Sequence, residues 1–134
     1  METIKWNDSL SVGVQEMNRQ HQKLIAMINR LIEEQHTLTE PATIAELIME
    51  MTDYAEEHFR AEEYLMAEYG YDRLRDQEQS HRAFIDKTVE FMEAKVGPNL
   101  LSVALLEYLG SWLTNHILHE DMQYKSFFAG KGLI

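Results

Sequence analysis

The stretch His58–His81 reads HFRAEEYLMAEYGYDRLRDQEQSH and decides the fold. His58 and Glu62 are four residues apart, as are Gln77 and His81, and residues four apart share one face of a helix. Gly70-Tyr71-Asp72 between the two pairs is a turn signal. It predicts two helices folded back on each other, each presenting a polar pair to its neighbour. Facing helices with His and Glu pointing inward make the wall of a metal site.

Outward from this stretch, the remaining segments carry helical apolar stripes. Helix two is expected over about 42–69, with Ile44, Leu47, Ile48, Met51, Ala55, His58, Glu62, Leu65 and Met66 on one stripe. On it, Glu57 and Glu63 fall off centre and are expected to be solvated. Helix three is expected over about 72–95, with Leu74, Gln77, His81, Phe84, Ile85, Thr88, Phe91 and Met92 inward, ending at Gly97-Pro98. Helix one is expected over about 19–35, with Asn18 as its N-cap and His21, Leu24, Ile25, Ile28, Leu31 and Ile32 inward. Thr37–Pro41 breaks the pattern, with Thr39 a cap candidate and Pro41 suited to a first turn. Helix four is expected over about 99–122, with Leu105, Leu106, Leu109, Leu113, His116, Ile117 and Glu120 inward and Asp121 at the edge. Residues 1–17 read as an ordered arm that packs Trp6 on the body. The tail from Tyr124 reads as a short segment folding back. The expectation is an all-α, antiparallel up-down-up-down four-helix bundle, with residues 1–134 one domain.

Composition narrows the function. The 134 residues contain no cysteine, which excludes disulfides, thiolate metal sites and thiol catalysis. A metal would be held by His, carboxylate, amide or water, which suits iron, manganese or zinc. The net charge of -11 argues against nucleic acid and against an anionic membrane surface. No leader-like pattern and no run of about 18 apolar residues is present, so a soluble cytoplasmic protein is expected.

The histidines carry the functional signal. A lone His on an apolar stripe is more often a hydrogen-bonded core residue than a ligand, and a lone core Glu can be paired with Arg. Here His21, His58, His81 and His116 fall one per stripe, although the chain has only six histidines. Antiparallel packing brings all four to one end of the bundle, with Glu62 and Asp121 beside them. A buried, ionised carboxylate costs several kcal/mol unless compensated. No Lys or Arg lies on these stripes nearby, so a metal dication or pair is the simplest compensation.

With Trp6…Leu10-Ser11-Val12-Gly13-Val14, Asn18-Arg19-Gln20-His21, His58-Phe59-Arg60-Ala61-Glu62-Glu63, Gln77…His81 and His116-Ile117…Asp121…Tyr124, the chain resembles the bacterial hemerythrins along nearly its whole length. These are non-haem di-iron oxygen-binding proteins. The resemblance implies two non-haem iron ions with a bridging oxo or hydroxo group, and Glu62 and Asp121 as carboxylate bridges. It implies that His21 and His58 hold the iron with the open position, and that His81 and His116 hold the other. Molecular oxygen would be the partner, and Leu113 and Ile117 would line its pocket, although ordinary core packing explains them equally. Trp112 is more simply a packing residue. A monomer is expected.

Gln77 departs from the pattern, since the family has a His there. Its amide could ligate weakly or hold a ligating water. Either implies weaker retention of that iron, an altered redox balance or an extra open position. His119 should point sideways and His36 to solvent. Glu120 is either a hydrogen-bond partner of a ligand imidazole or an exposed helix-end residue. Three functions follow: reversible oxygen binding for carriage, storage or sensing; a di-iron oxidase or peroxidase-like enzyme; and a metal-buffering bundle. The apolar neighbours Leu113 and Ile117, with no acid or base beside them, favour binding over turnover.

Overall fold

The computed structural model describes residues 3–34, 41–93 and 103–131. It is all-α. Helix α1 spans Gln15–Glu33, α2 Pro41–Tyr69, α3 Leu74–Glu93 and α4 Val103–His116; a π-helical turn, Ile117–Asp121, joins α4 to α5, Met122–Ala129. Helix α1 packs on α2 and α4, and α3 packs on the same two, which closes the four-helix ring. Ile28, Ile48, Met51, Leu106 and Leu109 fill its middle, fully buried, as the stripes require. The expected features at His36, Thr37, Thr39, Gly97, Pro98 and Asn99 lie outside the described residues.

The turn between α2 and α3 is where the sequence signal is sharpest. Gly70 has φ 71°, a left-handed conformation that favours glycine. The Gly70 N–H donates to Ala67 O at 3.3 Å and the Tyr71 N–H to Met66 O at 2.9 Å. These two bonds close the last carbonyls of α2 in the pattern of a Schellman cap. The turn then buries Tyr71 against Phe127 and Phe128 of α5, at ring distances of 5.1 and 6.4 Å.

Two boundaries differ from the sequence reading. Asn18 is not the N-cap of α1, which begins earlier, after Val14. The Asn18 side chain reaches back instead, accepting from the Val12 N–H at 2.9 Å and donating to Ser11 Oγ at 2.8 Å. It ties the arm to the helix from inside the first turn. Asn29 ties the arm again, accepting from the Ile4 N–H at 2.7 Å and donating to Ile4 O at 2.8 Å. Trp6 packs against the core as expected. The second difference is the tail, which does not fold back after Met122. It continues as α5 and buries Tyr124 and Phe128 on the bundle. The apolar stripe persists through those residues, and no breaker precedes Gly130 to stop the helix.

Candidate metal centre

Local geometry places the donors before tertiary packing gathers them. His58 and Glu62 lie one turn apart on α2, and His58 Nε2 stands 3.2 Å from Glu62 Oε1. His116 and Asp121 are five apart. At ~100° per residue a regular α-helix would leave them ~140° apart around the axis. The π turn at Ile117–Asp121 inserts the extra residue into one wider turn. Asp121 thereby rotates back beneath His116, and Asp121 Oδ1 lies 3.0 Å from His116 Nε2.

Packing then brings the four helices' donors together at one end of the bundle. His21, His58, Glu62, His81, His116 and Asp121 are all buried. They form two overlapping groups: His21, His58 and Glu62 in one, and Glu62, His81, His116 and Asp121 in the other, each with donor atoms within 4.8 Å of one another. His21 Nε2 spans the acids, 3.4 Å from Glu62 Oε2 and 3.1 Å from Asp121 Oδ2. Tyr124 OH donates to Glu62 Oε2 at 2.6 Å.

The ring hydrogens decide what this cluster needs. His81 Nδ1 donates to Glu63 Oε2 at 2.8 Å, and His116 Nδ1 donates to Glu120 Oε1 at 3.1 Å. A carboxylate only accepts, so each ring carries its proton on Nδ1 and turns an Nε2 lone pair inward. Those two Nε2 atoms face each other at 3.1 Å. His81 Nε2 also faces Glu62 Oε1 at 3.4 Å. The oxygen atoms Glu62 Oε1 and Asp121 Oδ2 and the nitrogen atoms His21 Nε2 and His58 Nε2 are buried without a hydrogen-bond partner. Acceptors directed at acceptors across about 3 Å repel unless a proton or a cation stands between them. A metal fits; the donor set is nitrogen and oxygen without sulfur, which suits iron.

Protonation behaviour says the same. Burial presses the His21 imidazole downward, but Asp121 and Glu62 outweigh it and raise its pKa to about 9. Burial likewise opposes charge on His116, and Asp121 and Glu120 raise it to about 10. Burial pushes the Glu62 carboxyl up, yet His58, His21 and His81 hold it well below the usual carboxylate range. In the absence of metal, protons on the imidazoles would balance the acids.

The surroundings add what the stripes did not reveal. Glu63, expected in solvent, is partly buried and holds His81; Glu120 holds His116, the first of its two expected roles, and also accepts from Ser80 Oγ at 2.8 Å. His58 Nδ1 donates to Gln20 Oε1 at 2.6 Å. Phe59 stacks on His81 at 4.0 Å, and Trp112 stacks on His116 at 4.5 Å, so Trp112 orients a cluster ring as well as packing. Gln20 and Phe59 are sequence neighbours of His21 and His58; that adjacency was the available signal. Leu113 and Ile117 are buried, while His119 is exposed and stays out of the cluster, in line with the sideways direction expected of it.

Gln77 is buried beside the cluster. Its Nε2 donates to Asp121 Oδ1 at 3.2 Å. That bond fixes the nitrogen as the donor and leaves Oε1, the atom of an amide that can ligate or accept, buried without a hydrogen-bond partner.

The sequence from 12 to 128 matches the hemerythrin HHE cation-binding domain. The chain belongs to the hemerythrin family. It is 36% identical over 124 residues to a bacteriohemerythrin of Pseudomonas aeruginosa, covering 92% of this chain and 80% of that one. A hemerythrin-like protein of Naegleria gruberi is 33% identical over 122 residues, covering 91% of each chain. A solved crystal structure of a point mutant superposes with a TM-score of 0.84 at 20% identity, over 94% of this chain and 97% of that one, and supports the fold alone. The His and carboxylate cluster thus matches a hemerythrin-type di-iron site. Among the described residues, no helix is long and apolar enough to cross a membrane.

Proposed function

We propose that this hemerythrin-family chain binds molecular oxygen reversibly at a di-iron centre, in carriage, storage or sensing. The observation that carries the reading is the inward set of lone pairs: six buried donor residues from four helices converge, with no Lys or Arg among their partners among the described residues. His21 and His58 would hold one iron and His81 and His116 the other, with Glu62 and Asp121 shared. When bound, the irons would supply the oxygen-binding position and the electrons that bound oxygen withdraws. The chain's own part is to fix the His58, His81 and His116 rings through Nδ1, to hold Glu62 through Tyr124, and to keep water out with Leu113 and Ile117. The buried apolar side chains of Leu113 and Ile117 carry no proton donor or base, which supports binding without turnover. The working form is a cytoplasmic monomer, in keeping with the acidic, cysteine-free composition.

The test is to reduce the iron-loaded chain without air, admit oxygen, and then remove it. A visible spectrum that appears and reverses, with two irons per chain, supports the reading. A second reading is an oxidase or peroxidase-like enzyme, favoured by the amide of Gln77 where the family has an imidazole. Rapid bleaching coupled to oxidation of an added reductant would select it and overturn the carrier reading.

A further inference from the structure

Gln77 changes the count of donors in a way that a metal must feel. Each half of the cluster has two imidazoles, His21 and His58 in one and His81 and His116 in the other, and both halves reach the two carboxylates. Two ring nitrogens plus one oxygen from each acid make four protein donors for either metal. An iron in a nitrogen and oxygen site would take roughly six donors, and the bridging group that the resemblance implies would supply one more. Each metal would therefore be left one position short. A third ring at position 77 would close that position in the His81 half; the amide does not.

The amide has a definite orientation. Beside Asp121 Oδ1, at 3.2 Å, it must present its N–H, because an oxygen there would set two acceptors together. Its Oε1 is then turned elsewhere, and that atom is fully buried with no hydrogen-bond partner. A buried, unpartnered amide oxygen costs on the order of a lost hydrogen bond, and a small molecule that donates to it removes the cost. His81 and His116 are each braced from behind, by Glu63 and Glu120, so the half does not depend on a third ring for its orientation.

We propose that the metal held by His81 and His116 keeps an exchangeable position occupied by water, and that Gln77 Oε1 accepts the hydrogen bond of that water. Both irons then have a replaceable ligand, not one of them. This rests on the di-iron reading above.

Nitric oxide counts such positions on reduced iron. The full chain, loaded to two irons as verified by metal analysis and reduced without air, is titrated with nitric oxide and followed by electron paramagnetic resonance. Two equivalents per pair of irons are expected for the native chain, and one for Gln77→His, whose ring fills the second position. One equivalent in the native chain overturns the proposal whether or not the His variant folds, and so does a chain that retains only one metal after reconstitution. Gln77→Leu keeps the position and removes the acceptor. It should still take two equivalents, the second entering about tenfold faster, which is the loss of roughly one hydrogen bond; an unchanged rate overturns the acceptor role. Two equivalents without a reversible oxygen spectrum keep the second position and end the carrier reading. A reversible oxygen spectrum with one equivalent does the reverse.

Discussion

The two halves of the cluster use the same parts but are backed differently. Behind His81 and His116 stand carboxylates, Glu63 at 2.8 Å and Glu120 at 3.1 Å. Behind His58 stands a neutral amide, Gln20 at 2.6 Å, and His21 Nδ1 is buried without a partner. A carboxylate behind an imidazole fixes its tautomer and makes it a stronger donor. The half in which Gln77 stands where the resemblance places a third ring is thus the half with the anionic support. The difference teaches that ligand count alone does not rank the two positions.

The largest break would come from the residue both halves share. Glu62→Ala should leave less than one iron per chain, read by metal analysis, while far-UV circular dichroism still reports a helical bundle. Next come the braces. Glu120→Gln and Glu63→Gln should weaken metal binding in the His81 half by about 10- to 100-fold. The His21 half should hold, so competitive chelation should strip one metal well before the other. Equal loss of both metals would erase the contrast between the halves.

The metal-free chain sharpens the comparison through pH. His21 and His116 are raised from 6.5 to about 9 and about 10 by the acids they face. A raised imidazole contributes stability that is complete below its unfolded value and lost as pH rises through its folded value. Asp121 is lowered despite burial and the charge of Glu62, because His116 and His21 hold it as the anion; Glu62 is lowered too. Their contribution is present above the ordinary carboxylate range and lost as pH falls through their folded values. Denaturant midpoints of the metal-free protein should therefore fall between pH 7 and about 10. Loading metal at neutral pH should release protons, measurable as a buffer-dependent heat of binding. Heats independent of the buffer would contradict it.

Smaller effects follow from the neutral contacts. Tyr124→Phe removes the hydroxyl that donates to Glu62 Oε2, at a cost of about 1.5–3 kcal/mol for a hydrogen bond to a charged group, read by denaturation of the metal-free form. Gln20→Ala should move metal affinity least, by only a few-fold in the His58 half. A larger effect than that of Glu120→Gln would invert the ranking.

Much of this architecture is local and was therefore legible in the chain. The apolar stripes, the Gly70 turn and the His58–Glu62 pair all depend on spacing along one helix, and helical periodicity is set by the backbone alone. Four histidines on four stripes, brought to one end by antiparallel packing, followed from the same rule. Resemblance to the hemerythrins then supplied the partners' roles and marked Gln77 as the departure.

What tertiary structure decided lies between helices, or breaks the helical period. Asp121 sits five residues from His116, and only the π turn makes that spacing work. The pairing of Glu63 with His81, of Ser80 with His116 and Glu120, and of Gln20 with His58 depends on how far each helix is rotated toward its neighbour. The orientation of the Gln77 amide depends on where Asp121 arrives. A stripe in the sequence says which face turns inward; the hydrogen bonds across the bundle are chosen by rotation and register, which no single helix encodes.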